Sequence, residues 1–127
     1  MKFLTLVKSS EDVRGQSPPQ ALMEAIATLG EEAGRAGLLL EMGGLMPSAS
    51  GARIALRRGR LTVTDGPFTE AKEVVGGYAF FAFRSREEAV EWTVRFMELH
   101  RRHWPEWDGE TEIRQVAEFQ SAMPGRA

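Results

Sequence analysis

The sequence predicts one α+β domain, and three observations carry that prediction. Two stretches repeat apolar residues at helical spacing, each behind a serine placed to cap a helix. The runs around them are short, apolar or alternating, and bounded by glycine and turn residues, which marks them as strands. Their order is strand–helix–strand, a hairpin, then strand–helix–strand, and 127 residues leave room for one hydrophobic core rather than two.

Residues 2–8 are the first strand. Phe3, Thr5 and Val7 fall on one face and Leu4 and Leu6 on the other, so both faces carry apolar groups and each needs a covering layer. A polar connection over residues 11–16 leads to Ser17-Pro18-Pro19-Gln20. With Ser17 as N-cap, Pro18 as the first helical residue and Gln20 closing a capping box, a helix is expected to start at Pro18. Leu22, Ile26, Leu29 and Ala33 are its apolar stripe, Glu24, Glu31, Glu32 and Arg35 its wet face, and Gly37 its stop.

A second strand is expected over residues 38–42 and an irregular loop over 43–51. Ala52, Ile54 and Leu56 alternate with Arg53, Ala55 and Arg57. After an Arg58-Gly59 turn, Leu61 and Val63 alternate with Arg60, Thr62 and Thr64, which predicts a β-hairpin. An aromatic strand is expected over residues 77–83, and Ser85-Arg86-Glu87-Glu88 is a second capping box. Ala89, Trp92, Phe96 and Leu99 form the stripe of the second helix, with Pro105 as its outer limit. Residues 104–109 read as a loop. Thr111, Ile113, Gln115 and Phe119 alternate with polar residues in a final strand, and residues 121–127 read as a loose tail.

Composition narrows the function. The chain has no cysteine, which removes disulfides, thiol nucleophiles and thiolate metal ligands and fits a cytoplasmic protein. A net charge of −2 argues against a nucleic-acid partner, which needs a surplus of Lys and Arg to neutralise phosphate. No apolar run is long enough to cross a bilayer, so no membrane partner is expected. No phosphate-binding glycine loop, dinucleotide fingerprint or Ser-His-Asp arrangement is present, and no cofactor is expected.

The densest chemistry lies in Asp65-Gly66-Pro67-Phe68-Thr69-Glu70-Ala71-Lys72-Glu73, where a strong turn and four charges precede Gly76-Gly77 and the aromatic strand. This string resembles the signature of the DGPF group of the YCII-related proteins. The likeness extends to Pro47-Ser48-Ala49-Ser50-Gly51-Ala52-Arg53, Arg84-Ser85-Arg86-Glu87-Glu88-Ala89 and Glu112-Ile113-Arg114-Gln115-Val116. The resemblance implies that residues 1–120 form one YCII-related/DGPF domain. The resemblance implies a ferredoxin-like (βαββαβ) fold of the dimeric α/β-barrel type with an inserted β-hairpin and a small pocket, and no single reaction. Ile26 lies about where some YCII-related proteins place a histidine proposed as catalytic. Genes of DGPF relatives often sit beside those of alternative sigma factors, which implies a non-enzymatic accessory or regulatory role as the alternative to ligand binding.

Two readings of Asp65 stay open. As a turn former its carboxylate bonds backbone amides; in a partly desolvated pocket it accepts a substrate proton or orients a small polar ligand, with Glu70, Lys72 and Glu73 as further ligand-binding candidates. For Glu70, Lys72 and Glu73 the competing reading is an exposed ion-pair cluster that holds a loop shut. His100 and His103 are spaced for one shared metal, but no third ligand is defined, so no metal is expected; His103 continues the helix stripe as a packed imidazole. Arg53, Arg57, Arg58 and Arg60 crowd the hairpin, either to capture an anion or to block edge-to-edge pairing. Apolar groups on both faces of a sheet covered by helices on only one side predict a homodimer, the monomeric alternative being that the hairpin folds over the open face of its own chain.

Overall fold

In the computed structural model, which describes residues 1–11 and 16–118, the first strand takes the central place that its two apolar faces require. The elements are β1 (Lys2–Ser9), α1 (Gln20–Arg35), β2 (Leu39–Gly44), a 3₁₀ turn (Ser48–Ser50), β3 (Ala52–Arg57), β4 (Arg60–Asp65), β5 (Val74–Ala82), α2 (Arg86–His103) and β6 (Gly109–Gln115). Four strands form an antiparallel sheet in the order β2-β5-β1-β6, and β3 pairs with β4 in a separate two-stranded sheet. β5 is antiparallel to both β1 and β2, so these two run parallel with it between them. That is the split βαβ arrangement, compatible with a ferredoxin-like fold.

Register sorts the side chains. Phe3, Thr5 and Val7 stand opposite Phe81, Ala79 and Gly77, while Leu4 and Leu6 stand opposite Phe80 and Tyr78 on the other face. Both helices cover the first of these faces. Phe3, Leu38, Phe83 and Ala89 form the buried core there, with Phe81, Trp92 and Ile113 packed against it. The second face carries the half-buried Leu4, Leu6, Tyr78 and Phe80, bordered by an ion-pair row in which Lys8 meets Glu112 at 2.8 Å and Arg114 meets Glu112 at 3.0 Å.

Local signals account for several element ends. Gly37, with φ of 74°, closes α1: its N–H donates to the Gly34 carbonyl, and that of Leu38 donates to the Ala33 carbonyl, so the last turn is satisfied while Leu38 enters the core. Arg58 and Gly59 take φ of 53° and 79°, the two left-handed residues of a tight hairpin turn. Ser85 caps α2, its hydroxyl accepting from the Glu88 N–H at 3.1 Å, and the Glu88 carboxylate returns the favour to the Arg84 N–H at 2.8 Å.

Other boundaries differ from the sequence expectation. α1 starts at Gln20 with Pro19 in the cap position, and Ser17 takes no part. The residue before a proline is disfavoured in the helical region, so Pro18, which precedes Pro19, cannot open the helix. β5 starts at Val74 rather than Gly77, because Val74 and Val75 pair with Ser9 and Lys8 past a bulge at Gly76 of β5. β2 runs on to Gly44, and β6 already starts at Gly109. Phe119 and the tail at residues 121–127 lie outside the described residues.

Candidate functional site

The helices do not close fully onto the sheet. Ala79, Gly77 and Gly76 of β5 and Gly43 and Gly44 of β2 put little bulk on the floor beneath α1 and α2, and a cavity of about 300 Å³ remains. Small-molecule sites begin at about this size. Leu22 and Ile26 of α1 and Trp92 and Phe96 of α2 form its roof. This explains why Ile26 and Leu29, in the middle of the α1 stripe, are only half-buried while Leu22 and Ala33 at its ends are fully buried. Among the described residues no Asp, Glu, Lys or Arg lines the cavity.

One end is polar and aromatic. His100, on the last turn of α2, is 7% exposed, with the Phe96 ring centroid 4.7 Å and the Trp107 ring centroid 4.5 Å from its own. Its Nδ1 lies 3.1 Å from the Phe96 carbonyl oxygen. A carbonyl can only accept, so Nδ1 carries the proton. Burial pushes the imidazole below its ordinary pKa, and the hydrogen bond to Phe96 offsets this only in part. The ring is therefore neutral at pH 7, with its lone pair on Nε2. Ser9, 1% exposed, continues the inward alternation of Phe3, Thr5 and Val7, lines the cavity and pairs with Gly109 across the sheet. Gly109 in turn underlies Trp107: a Cβ there would stand 2.4 Å from the indole and 2.7 Å from the Lys8 carbonyl. Ser9, Trp107 and His100 thus gather at the same end.

The signature loop is built differently. Gly66 passes so close to the 3₁₀ turn that a Cβ would lie 1.7 Å from the Ser48 carbonyl oxygen, and its N–H donates to the Gly51 carbonyl at 2.9 Å. The Gly66–Pro67 peptide is cis. The Ser48 hydroxyl accepts from the Phe68 N–H at 2.9 Å and donates to Glu11 at 2.6 Å, while the Ser48 N–H donates to the other Glu11 oxygen at 2.5 Å. Arg53 lies over the Phe68 ring, 3.9 Å from its centroid, and pairs with Glu70. Its own backbone N–H first, and the Arg53 guanidinium second, hold the Glu70 carboxyl below its usual range. Asp65 is exposed at the end of β4, its backbone paired with Ala52. Asp65, Lys72 and Glu73 make no side-chain hydrogen bond or salt bridge among the described residues, and none of Asp65, Glu70, Lys72 and Glu73 lines the cavity. The fold brings Glu70 together with Arg53 and Phe68; it does not bring Asp65 together with Lys72.

The family model of the YCII-related domain matches residues 1–120. The chain belongs to the YCII-related family. No curated protein matches it. In this YCII-related domain Ile26, where the resemblance placed a histidine in some members, lines the cavity. The packed imidazole is His100 rather than His103: the inward stripe runs Trp92, Phe96, His100 in steps of four, and His103 is left half-exposed. Among the described residues no three of His, Asp and Glu gather as a metal site, and no helix is long and apolar enough to cross a membrane. Sequence reasoning missed Ser9, Trp104 and Trp107 as cavity residues. Ser9 was legible as the next inward step of β1. Two tryptophans in a short loop signalled packing, but not against what.

Proposed function

We propose that this YCII-related domain is a homodimeric small-molecule-binding protein whose ligand occupies the cavity between helices and sheet, and that the 65–73 loop is a structural clamp. The cavity carries this reading: it is open space where a domain of this size would otherwise bury its core, and it contains polar atoms of His100 and Ser9 that have no hydrogen-bond partner among the described residues. The clamp reading rests on Gly66 against Ser48 and on the bonds joining Glu11, Ser48 and Phe68. A second reading keeps a polar ligand, and weak acid–base chemistry, at the loop. The Asp65 carboxylate and Lys72 ammonium, which make no hydrogen bond or salt bridge among the described residues, favour it.

A thermal-shift screen of small metabolites separates the two. Ile26→Trp fills the cavity, and Asp65→Asn removes the Asp65 charge from the loop. Hits lost in Ile26→Trp and kept in Asp65→Asn support the cavity; the reverse pattern transfers the site to the loop. If no compound shifts either protein, a non-enzymatic accessory role remains.

Two unpartnered apolar faces support the dimer. Ile54, Leu56, Leu61 and Val63 lie together on one face of the β3–β4 hairpin and are 67%, 67%, 70% and 69% exposed, so the hairpin does not fold back over its own sheet. The open sheet face offers Leu4, Leu6, Tyr78 and Phe80. A two-fold axis can set the hairpin of one copy against the open face of the other twice over, which closes the assembly.

A further inference from the structure

We propose that the aromatic end of the cavity is a subsite for an uncharged hydroxyl, so that the ligand class is a mainly apolar neutral alcohol or phenol and not a carboxylate or phosphate. This deepens the cavity reading and rests on it. His100 commits Nδ1–H to the Phe96 carbonyl, and Nε2 has no hydrogen-bond partner among the described residues although the side chain is 7% exposed and lines the cavity. A buried acceptor left unsatisfied is costly, and a donor from the ligand removes that cost. The Ser9 hydroxyl, 1% exposed and likewise without a partner among the described residues, supplies a second polar group at the same end. A hydroxyl head group suits the pair, because it donates to Nε2 and can accept from a serine.

Charge excludes the anions. No cationic side chain lines the cavity among the described residues, so a carboxylate or phosphate would be buried without compensation. The indoles of Trp104 and Trp107, stacked 6.3 Å apart beside His100, offer flat apolar walls that suit a ring carrying the hydroxyl.

Three probes of one shape isolate the head group: para-cresol, para-xylene and para-toluate. Binding to the full-length protein is measured by titration calorimetry, with the 15N shift of the His100 imidazole followed by NMR. Para-cresol is expected to bind about three- to tenfold more tightly than para-xylene, the worth of one buried hydrogen bond, to move the Nε2 resonance, and to outbind para-toluate. In His100→Phe the preference for cresol over xylene disappears while xylene still binds. Equal binding of cresol and xylene to the wild-type protein overturns the hydroxyl subsite but leaves the cavity reading standing, as does tighter binding of toluate. If none of the three binds, both fail. The wild-type series and the Nε2 shift decide the matter even if His100→Phe does not fold.

Discussion

At the scale of single residues, two positions carry consequences that composition does not reveal. Gly66 is required by contact and not by turn chemistry alone, since a methyl group there would overlap the Ser48 carbonyl oxygen at 1.7 Å. Gly66→Ala is expected to destabilise the domain by roughly 2 kcal/mol or more, read as a lower urea midpoint at unchanged slope. A midpoint within experimental error of wild type would remove the clamp. His100 supplies the pH dependence. Its folded pKa lies below the ordinary value of 6.5, so as pH falls through that value the unfolded chain takes up a proton that the buried ring still refuses. The unfolded state then binds more protons, and stability is expected to decline from about pH 6.5 downward toward the folded pKa and to be flat in this respect above it. His100→Phe should lack that decline. An NMR titration placing the folded pKa at or above 6.5 would contradict the sign.

At the scale of elements, the two helix starts form a natural control. Both follow a serine three residues before Gln or Glu, yet only Ser85 accepts a backbone bond, because Pro18-Pro19 displaces the start of α1 beyond the reach of Ser17. Ser85→Ala is expected to cost about 1 kcal/mol and Ser17→Ala close to nothing. Equal losses in the two variants would mean that Ser17 caps after all. The hairpin is the other element with an independent meaning. Its cross-strand pairs Ile54–Val63 and Leu56–Leu61 are chosen as if for a core, whereas Arg57 and Arg60 face each other on the opposite side, next to the turn. Such alternation is unexpected on a ribbon with water on both sides.

At the scale of the whole molecule, the unresolved demand is cover for apolar surface. Sedimentation equilibrium at micromolar concentration is expected to give a mass near twice 14.1 kDa. Ile54→Lys combined with Val63→Glu keeps a favourable cross-strand pair and so preserves the hairpin, but places two charges in the proposed interface. This double variant is expected to sediment as a monomer with an unchanged far-UV spectrum. A wild-type mass near 14.1 kDa would refute the dimer.

What the chain determines by itself is whatever has its cause within a few residues. The α1 stop at Gly37, the Arg58-Gly59 turn, the Ser85 cap and the alternation of β1 were all legible, because left-handed backbone, capping and pleat depend on immediate neighbours. The strand–helix order then set the split βαβ arrangement. Tertiary structure alone decided the candidate site. The cavity exists because small residues from β2 and β5 meet under two helices from distant parts of the sequence, and no local window contains that coincidence. It also decided which histidine is buried, since the register of α2 against the sheet turns His100 inward and leaves His103 half-exposed. The signature string announced itself by density of charge and turn chemistry, but its glycine answers to Ser48, eighteen positions earlier, and only the folded chain brings the two into contact.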